Sequence, residues 1–173
     1  INRLARQYDL EVIETPVGFN YIADHMLRDD VLIGGEESGG ISFKGHIPEG
    51  DGILMGLMLI EMVAVTGKPL DELVDELLKD VGPIQYTRLD KRLSRPIEKP
   101  KLVRQLADTA PEKIGDTKVS EVNTLDGVKY ILEDDSWLLI RPSGTEPVLR
   151  IYAEAPNADK VQTLLDYGGS VAE

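Results

Sequence analysis

The tripeptide Val81-Gly82-Pro83 separates two stretches whose hydrophobic patterns demand different architectures. Proline lacks the amide hydrogen that a helix interior needs and pushes the residue before it out of helical geometry, so no helix passes this point. Before it, apolar residues recur at helical spacing around one short unbroken apolar run. After it, they alternate along a series of short strands. A single sheet with one covered face cannot satisfy both patterns, and the chain reads as two units, residues 1–82 and 84–173.

In the first stretch, Leu4 and Tyr8 mark the tail of a helix, and Glu11–Thr15 reads as a short strand ended by Pro16 and Gly18. Phe19, Ile22, Ala23, Met26 and Leu27 form the stripe of an amphipathic helix. Val31-Leu32-Ile33 follows without alternation, the pattern of a strand covered on both faces, which predicts a parallel sheet with helices on either side. The run from Ile53 to Val65 is interrupted only by Gly56 and Glu61. A membrane span needs about 20 residues, so this run predicts a buried core helix. Leu70, Leu73, Val74, Leu77 and Leu78 stripe one more helix. The expected fold of residues 1–82 is α/β.

Residues 84–173 predict an antiparallel α+β unit. Ile84–Asp90, Lys118–Thr124, Val128–Glu133, Ser136–Ile140 and Val148–Glu154 read as strands, with Asp126-Gly127 as a hairpin turn. Pro100 opens a helix carrying Leu102, Val103 and Leu106. Asn157 caps another, with Val161, Leu164 and Leu165 inward and Gly168-Gly169 as its stop. Trp137 and Tyr152 are expected in the core.

Composition excludes several functions. With no cysteine there is no disulfide framework, thiolate metal site or cysteine nucleophile, and the count fits a reducing, cytoplasmic setting. A net charge of −12 opposes nucleic-acid binding, which rests on a basic footprint. The first residues carry no apolar signal region, no stretch spans a membrane, and the leading isoleucine suggests a piece of something longer.

Two loops carry the chemistry. Seven of the 16 glycines lie between Gly34 and Gly52, and the apolar run empties into Gly34-Gly35-Glu36-Glu37-Ser38-Gly39-Gly40. Glycine lets backbone approach a ligand closely. On an extended loop Glu36 and Ser38 point the same way, a carboxylate and a hydroxyl suited to reading sugar hydroxyls. Glu37 faces away. A metal is the rival reading, but adjacent carboxylates without further ligands make a poor Mg²⁺ site. The second loop, Arg141-Pro142-Ser143-Gly144-Thr145-Glu146-Pro147, offers a bidentate guanidinium, two hydroxyls and a nest of amides around Gly144, all suited to phosphate. Arg150 on the returning strand could add a second charge. The bland alternative is a hairpin whose arginine pairs with Glu146. His46 lies close enough in sequence to the glycine loop to touch a ligand, although a loop-stabilising role is the more ordinary use.

Four motifs in order, Thr15-Pro16-Val17-Gly18-Phe19, Gly35-Glu36-Glu37-Ser38-Gly39, His46-Ile47-Pro48-Glu49-Gly50-Asp51-Gly52 and Arg141–Pro147, resemble those of the α-D-phosphohexomutases, the phosphoglucomutase/phosphomannomutase superfamily. The resemblance covers the whole chain but only the C-terminal part of such an enzyme. It implies that residues 1–82 are the later half of the family's third, α/β domain. Residues 84–173 are then its fourth domain, of TATA-binding-protein-like α+β fold.

Family members pass a phosphoryl group from a phosphoserine to a hexose phosphate and take the other phosphate back from the reoriented bisphosphate. The resemblance assigns Glu36 and Ser38 to sugar recognition, and Arg141, Ser143, Gly144 and Thr145 to the non-reacting phosphate. Asn20, His46 and Arg150 are further ligand candidates. Asn20 stands where relatives often carry a lysine, and Gly50 where they often carry a basic residue. The phosphoserine segment and the metal loop are not among these residues. No catalytic or metal-binding residue is therefore assigned here, this piece alone is expected to be inactive, and Mg²⁺ is expected only in the full-length enzyme. The Glu-Glu-Ser loop favours glucose over mannose and glucosamine. The alternatives are a phosphomannomutase or dual-specificity enzyme, or a non-catalytic phosphosugar-binding module. The expected partner is a hexose phosphate, not nucleic acid or membrane, and the oligomeric state stays open.

Overall fold

A computed structural model describes residues 1–93, 98–144 and 146–171. The chain divides into two compact units between Val81 and Gly82.

The first unit comprises helices α1 (Asn2–Gln7) and α2 (Phe19–Arg28), strands β1 (Ile33–Gly35) and β2 (Ile41–Phe43), and helices α3 (Gly52–Thr66) and α4 (Leu70–Val81). Side chains of α1 satisfy the last carbonyls of α4, Arg3 Nη1 donating to Val81 O at 3.0 Å and Gln7 Nε2 to Asp80 O at 3.1 Å. β1 and β2 form an antiparallel hairpin with Ile33 opposite Phe43. The expected parallel pairing is not formed among the described residues, and residues 11–15 are not a strand. Helix α2 lies tight on β1. A Cβ on Gly34 would stand 2.4 Å from Ile22 Cγ2, so only glycine fits there.

Helix α3 has well-formed ends. Asp51 Oδ1 accepts from the Ile53 and Leu54 amides, and Gly67, at φ 68°, closes the helix with its N–H on Val63 O. Its flanks are bare. Ile53, Ile60 and Val65 are 82%, 67% and 80% exposed, and no residue of the helix is buried. The expected burial is therefore absent: an apolar run shows that a segment needs cover, and that cover is not supplied within this unit. No single helix among the described residues is long and apolar enough to cross a membrane. α3 and α4 together have the length and composition, but they bend by 84° at their junction.

The second unit is an antiparallel sheet with two helices on one face. Strands β3 (Gln85–Arg92), β4 (Lys113–Ile114), β5 (Thr117–Asn123), β6 (Val128–Leu132), β7 (Trp137–Pro142) and β8 (Val148–Ala155) lie in the order β3-β8-β7-β6-β5-β4. Helices α5 (Lys99–Asp108) and α6 (Ala158–Ser170) contribute Leu102, Leu106, Val161, Leu164 and Leu165 to the core. Alternate strand residues meet them: Val128, Tyr130 and Leu132; Leu138 and Ile140; Leu149, Ile151 and Ala153. Tyr130 donates from its hydroxyl to Leu106 O at 2.8 Å, satisfying a carbonyl in the last turn of α5.

Two expectations change here. Gly168-Gly169 does not stop α6, which runs to Ser170. Gly168 is buried, and a Cβ there would come within 2.6 Å of Ile151 Cγ2, so it allows the helix to lie close on the sheet. Trp137 and Tyr152 belong to the opposite face, outside the core cluster. Tyr152 is nonetheless covered, with the Arg88 guanidinium 5.5 Å from its ring centre. Lys129 Nζ lies 5.2 Å from the Trp137 ring, whose Nε1 donates to Glu154 at 3.2 Å.

Candidate functional site

The glycine loop of the first unit is a tight turn. Glu36 N donates to Gly40 O at 2.8 Å and Gly39 N to Glu36 O at 3.0 Å, so residues 36–40 fold back on themselves. The expectation that Glu36 and Ser38 share a side rested on an extended loop, and that premise does not hold. Glu36 is half-buried and turns back toward α2, accepting from the Gly18 amide at 3.2 Å at the position just before the helix. Glu37 and Ser38 stand exposed at the tip. Asn20 is exposed in the first turn of α2. Its Oδ1 lies 2.6 Å from where a Cβ on Gly18 would be.

His46 is engaged with the start of α3. Its Nε2 is 3.2 Å from Asp51 Oδ2, and its ring stacks on Phe43 with centroids 5.8 Å apart. The Leu54 amide holds the Asp51 carboxyl below the usual carboxylate range, with His46 and Ile53 adding to the effect against the opposing influence of desolvation. His46 thus helps bind its loop to the helix cap.

The second loop, in the other unit, joins two interior strands. Ser143 N donates to Val148 O at 2.8 Å, Glu146 N to Ser143 Oγ at 3.3 Å, and Leu93 N to Pro147 O at 2.8 Å. Gly144 is exposed, with open space around it. Thr145 lies outside the described residues. The register of β7 and β8 sets Arg141 directly opposite Arg150. Two like charges at such a position repel, so this pair exists against its own electrostatics.

Each arginine is balanced separately. Arg141 does not pair with Glu146: its Nε donates to Asp126 Oδ2 at 2.8 Å, and the other oxygen of Asp126 accepts from Lys99 Nζ. Glu146 lies instead near Arg150, at a loose 3.7 Å from Nη2. On the other side of β8, Asp90 stands opposite Arg150. Both of its oxygens are taken by Arg88 at 2.7 Å, and this fork holds the Asp90 carboxyl below its usual range. Among the described residues the buried Nε of Arg150 has no hydrogen-bond partner. An unsatisfied buried donor of this kind is costly and calls for an acceptor.

Among the described residues the four cations Arg88, Lys99, Arg141 and Arg150 meet three carboxylates, Asp90, Asp126 and Glu146. This edge therefore carries a positive excess within a chain of net charge −12. The acidity is uneven. Residues 1–81 hold six Lys and Arg against sixteen Asp and Glu, while residues 82–173 hold thirteen against fifteen. The second unit is nearly neutral, which makes the local excess effective for an anion.

Asp126 is the residue that sequence reasoning missed. It was legible as half of a turn, and its role depends on which strand that turn faces. Among the described residues no group of three or more carboxylates and histidines is placed to hold a metal ion. The donor set does not fit Mg²⁺ in either loop: Glu36 is bonded to an amide, and Asp126 is occupied by two cations.

A family profile described as "Phosphoglucomutase/phosphomannomutase, alpha/beta/alpha domain III" matches residues 1–81, and one for the C-terminal domain of the same family matches residues 93–167. A phosphoglucomutase/phosphomannomutase of Thermococcus kodakarensis is 33% identical over 100% of this chain and 35% of its own length. A phosphoglucosamine mutase of Methanococcus aeolicus is 38% identical over 97% of this chain, again 35% of its own length. A solved structure from Thermus thermophilus superposes with a TM-score of 0.76 at 36% identity, covering 98% of this chain and 33% of that one. A Burkholderia thailandensis structure of the phosphoglucomutase/phosphomannomutase family, at 24% identity and TM-score 0.73, covers 98% of this chain and 34% of its own and supports the fold. The chain spans about a third of the length of the relatives it matches. Two adjacent domain profiles of one family, in order and covering both units, lead to one conclusion: the chain belongs to the phosphoglucomutase/phosphomannomutase family, as an α/β domain III piece followed by the α+β C-terminal domain.

Proposed function

We propose that this chain is the recognition part of a phosphohexomutase, gripping one phosphate of a hexose phosphate in its second unit and reading the sugar with its first. The observation that carries the reading is the Arg141–Arg150 pair, two arginines opposite each other on the β7–β8 ladder, one with a buried Nε that has no hydrogen-bond partner among the described residues. A phosphate dianion between them would remove their repulsion and supply the missing acceptor. Arg141, Ser143, Gly144 and Thr145 form the grip, with Arg150 as the second cation. Holding the non-reacting phosphate this way leaves the other end of the hexose for chemistry, which is mostly a matter of positioning in phosphoryl transfer.

Glu36 and Ser38 are the sugar-reading groups of this proposal, although Glu36 must exchange its bond to the Gly18 amide for one to a sugar hydroxyl. Asn20 and His46 flank them in sequence. The phosphoserine and the Mg²⁺ belong to family segments outside these 173 residues, so no step here runs through a metal and the piece alone is inactive. The parent's reaction is the exchange of glucose 1-phosphate and glucose 6-phosphate through a bisphosphate.

Relatives named for glucosamine as well as for glucose and mannose make the hexose the point to test. In the intact enzyme, Arg141→Ala should lower kcat/KM on glucose 1-phosphate by about 2–4 kcal/mol, the scale of a lost charged contact. Glu36→Gln should change the ratio of rates on glucose, mannose and glucosamine 1-phosphates. Unchanged kinetics for Arg141→Ala would remove the second loop from the site.

A further inference from the structure

We infer that Asp126 is a positioning residue of the anion site: it anchors the Arg141 guanidinium by its Nε and so presents the two Nη groups to the phosphate. The inference rests on reading this loop as a phosphate grip. The contact spans 15 residues of sequence, from the turn between β5 and β6 to the end of β7. Both side chains are largely shielded from water, at 13% and 14% exposure, where a hydrogen bond is directional and strong.

Other groups also hold the turn. Asn123 Oδ1 accepts from the Leu125 amide at 2.9 Å, and Gly127 takes the positive φ of 97°. The Asp126 carboxylate is directed at two cations from elsewhere, Arg141 and Lys99. Nor can the turn drift. A Cβ on Gly127 would stand 2.5 Å from Ile140 O and 3.1 Å from Arg141 Cα, so the turn is pressed against the strand that carries the arginine. Arg141 also faces Arg150 across the ladder. Without an anchor, repulsion would turn the two guanidiniums apart, and a ligand would have to reorder them on binding.

Charge and positioning predict opposite signs, which makes the inference testable. A carboxylate beside an anion site weakens anion binding by Coulomb repulsion, so its removal should tighten binding if charge is all that matters. If Asp126 positions Arg141, its removal weakens binding although the site gains a positive charge. Asparagine separates the two effects, since its side-chain oxygen still accepts from Nε–H without the charge.

The test is titration of inorganic phosphate into the 173-residue chain, followed through the Arg141 Nε–Hε resonance and by calorimetry. For Asp126→Ala the affinity should fall about tenfold and the Nε–Hε resonance should lose its protection from exchange. For Asp126→Asn the affinity should stay within about threefold of the unsubstituted chain, with the resonance still protected. Asp126→Ser replaces the alanine variant if the latter does not fold.

Phosphate binding to Asp126→Ala that is equal or tighter, while Arg141→Ala loses it, overturns the positioning role and leaves the phosphate reading standing. If Arg141→Ala binds phosphate as well as the unsubstituted chain, or that chain shows no saturable binding, the phosphate reading fails and the inference falls with it.

Discussion

Gly127 links the fold to the anion site, and replacing it by alanine gives a quantity that can be worked out in advance. Its φ of 97° lies where an L side chain is strained, at a cost of about 1–2 kcal/mol. The added Cβ would also meet backbone rather than a yielding side chain: Ile140 O at 2.5 Å and Arg141 Cα at 3.1 Å. Forcing atoms into a filled space costs about 1–3 kcal/mol, so the total is about 2–5 kcal/mol. A unit of this size is stable by roughly 5–10 kcal/mol, so the variant should fold with a clearly lower midpoint. Trp137 is the only tryptophan in the chain and sits on β7, so its fluorescence in urea reports this unit alone. At about 1 kcal/mol per molar urea, the midpoint should fall by about 2 M or more. Gly144→Ala is the control: it has open space and no positive φ, and should move the midpoint by less than about 0.5 M. A loss below about 0.5 kcal/mol in Gly127→Ala, or an equal loss in both variants, would refute the claim that this turn is pressed against the arginine strand.

Three other outcomes can be checked on the same chain. Burial pushes the Tyr130 hydroxyl up to about 12, with Tyr167 adding to it, so its contribution to stability is intact below about pH 10 and is lost as pH rises toward 12. Tyr130→Phe should remove that alkaline slope and cost about 1 kcal/mol at neutral pH through the carbonyl left behind at Leu106, measured by urea unfolding across pH. Asp51, held below the usual carboxylate range, contributes above about pH 4 and loses its cap as pH falls further. Asp51→Ala should show lower helix content at pH 7 by far-UV circular dichroism and a flatter acid limb; an unchanged limb would show that the cap does not matter. The bare apolar flanks of α3 predict concentration-dependent association, to be measured by sedimentation, which Ile60→Glu should reduce and Gly144→Ala should not.

The second unit was legible because its strands have one covered face. Ser136–Ile140 was readable as a strand, Asn157 announced α6, and Asp126-Gly127 announced a turn. Tyr152 is buried, though on the face away from the main cluster, and Trp137 was misplaced, because aromatic character alone does not say which face of a strand a residue occupies. The first unit was less legible for a related reason. An unbroken apolar run such as Val31–Ile33 reports a demand for cover on both sides, and the sequence does not say who meets it. In the structure Leu32 and Ile33 are 59% and 62% exposed on a two-stranded hairpin. At the site, the residue types were readable and the pairings were not. Arg141 with Asp126 rather than Glu146 follows from the register of β6 and β7, a property of the whole sheet.

Helix α3 carries its own start and stop in Asp51 and Gly67, so nothing distant is needed to begin or end it. Its order of events in synthesis follows. The helix can form as soon as residues 51–67 leave the ribosome, and until its flanks are covered it presents an adhesive rod to the surrounding solution. The acidic residues that crowd the rest of this unit then act as a shield on the nascent chain, keeping neighbouring copies apart by repulsion while the rod waits for cover. Substitutions that neutralise those acids would leave the finished contacts largely alone and should lower the yield of folded chain instead.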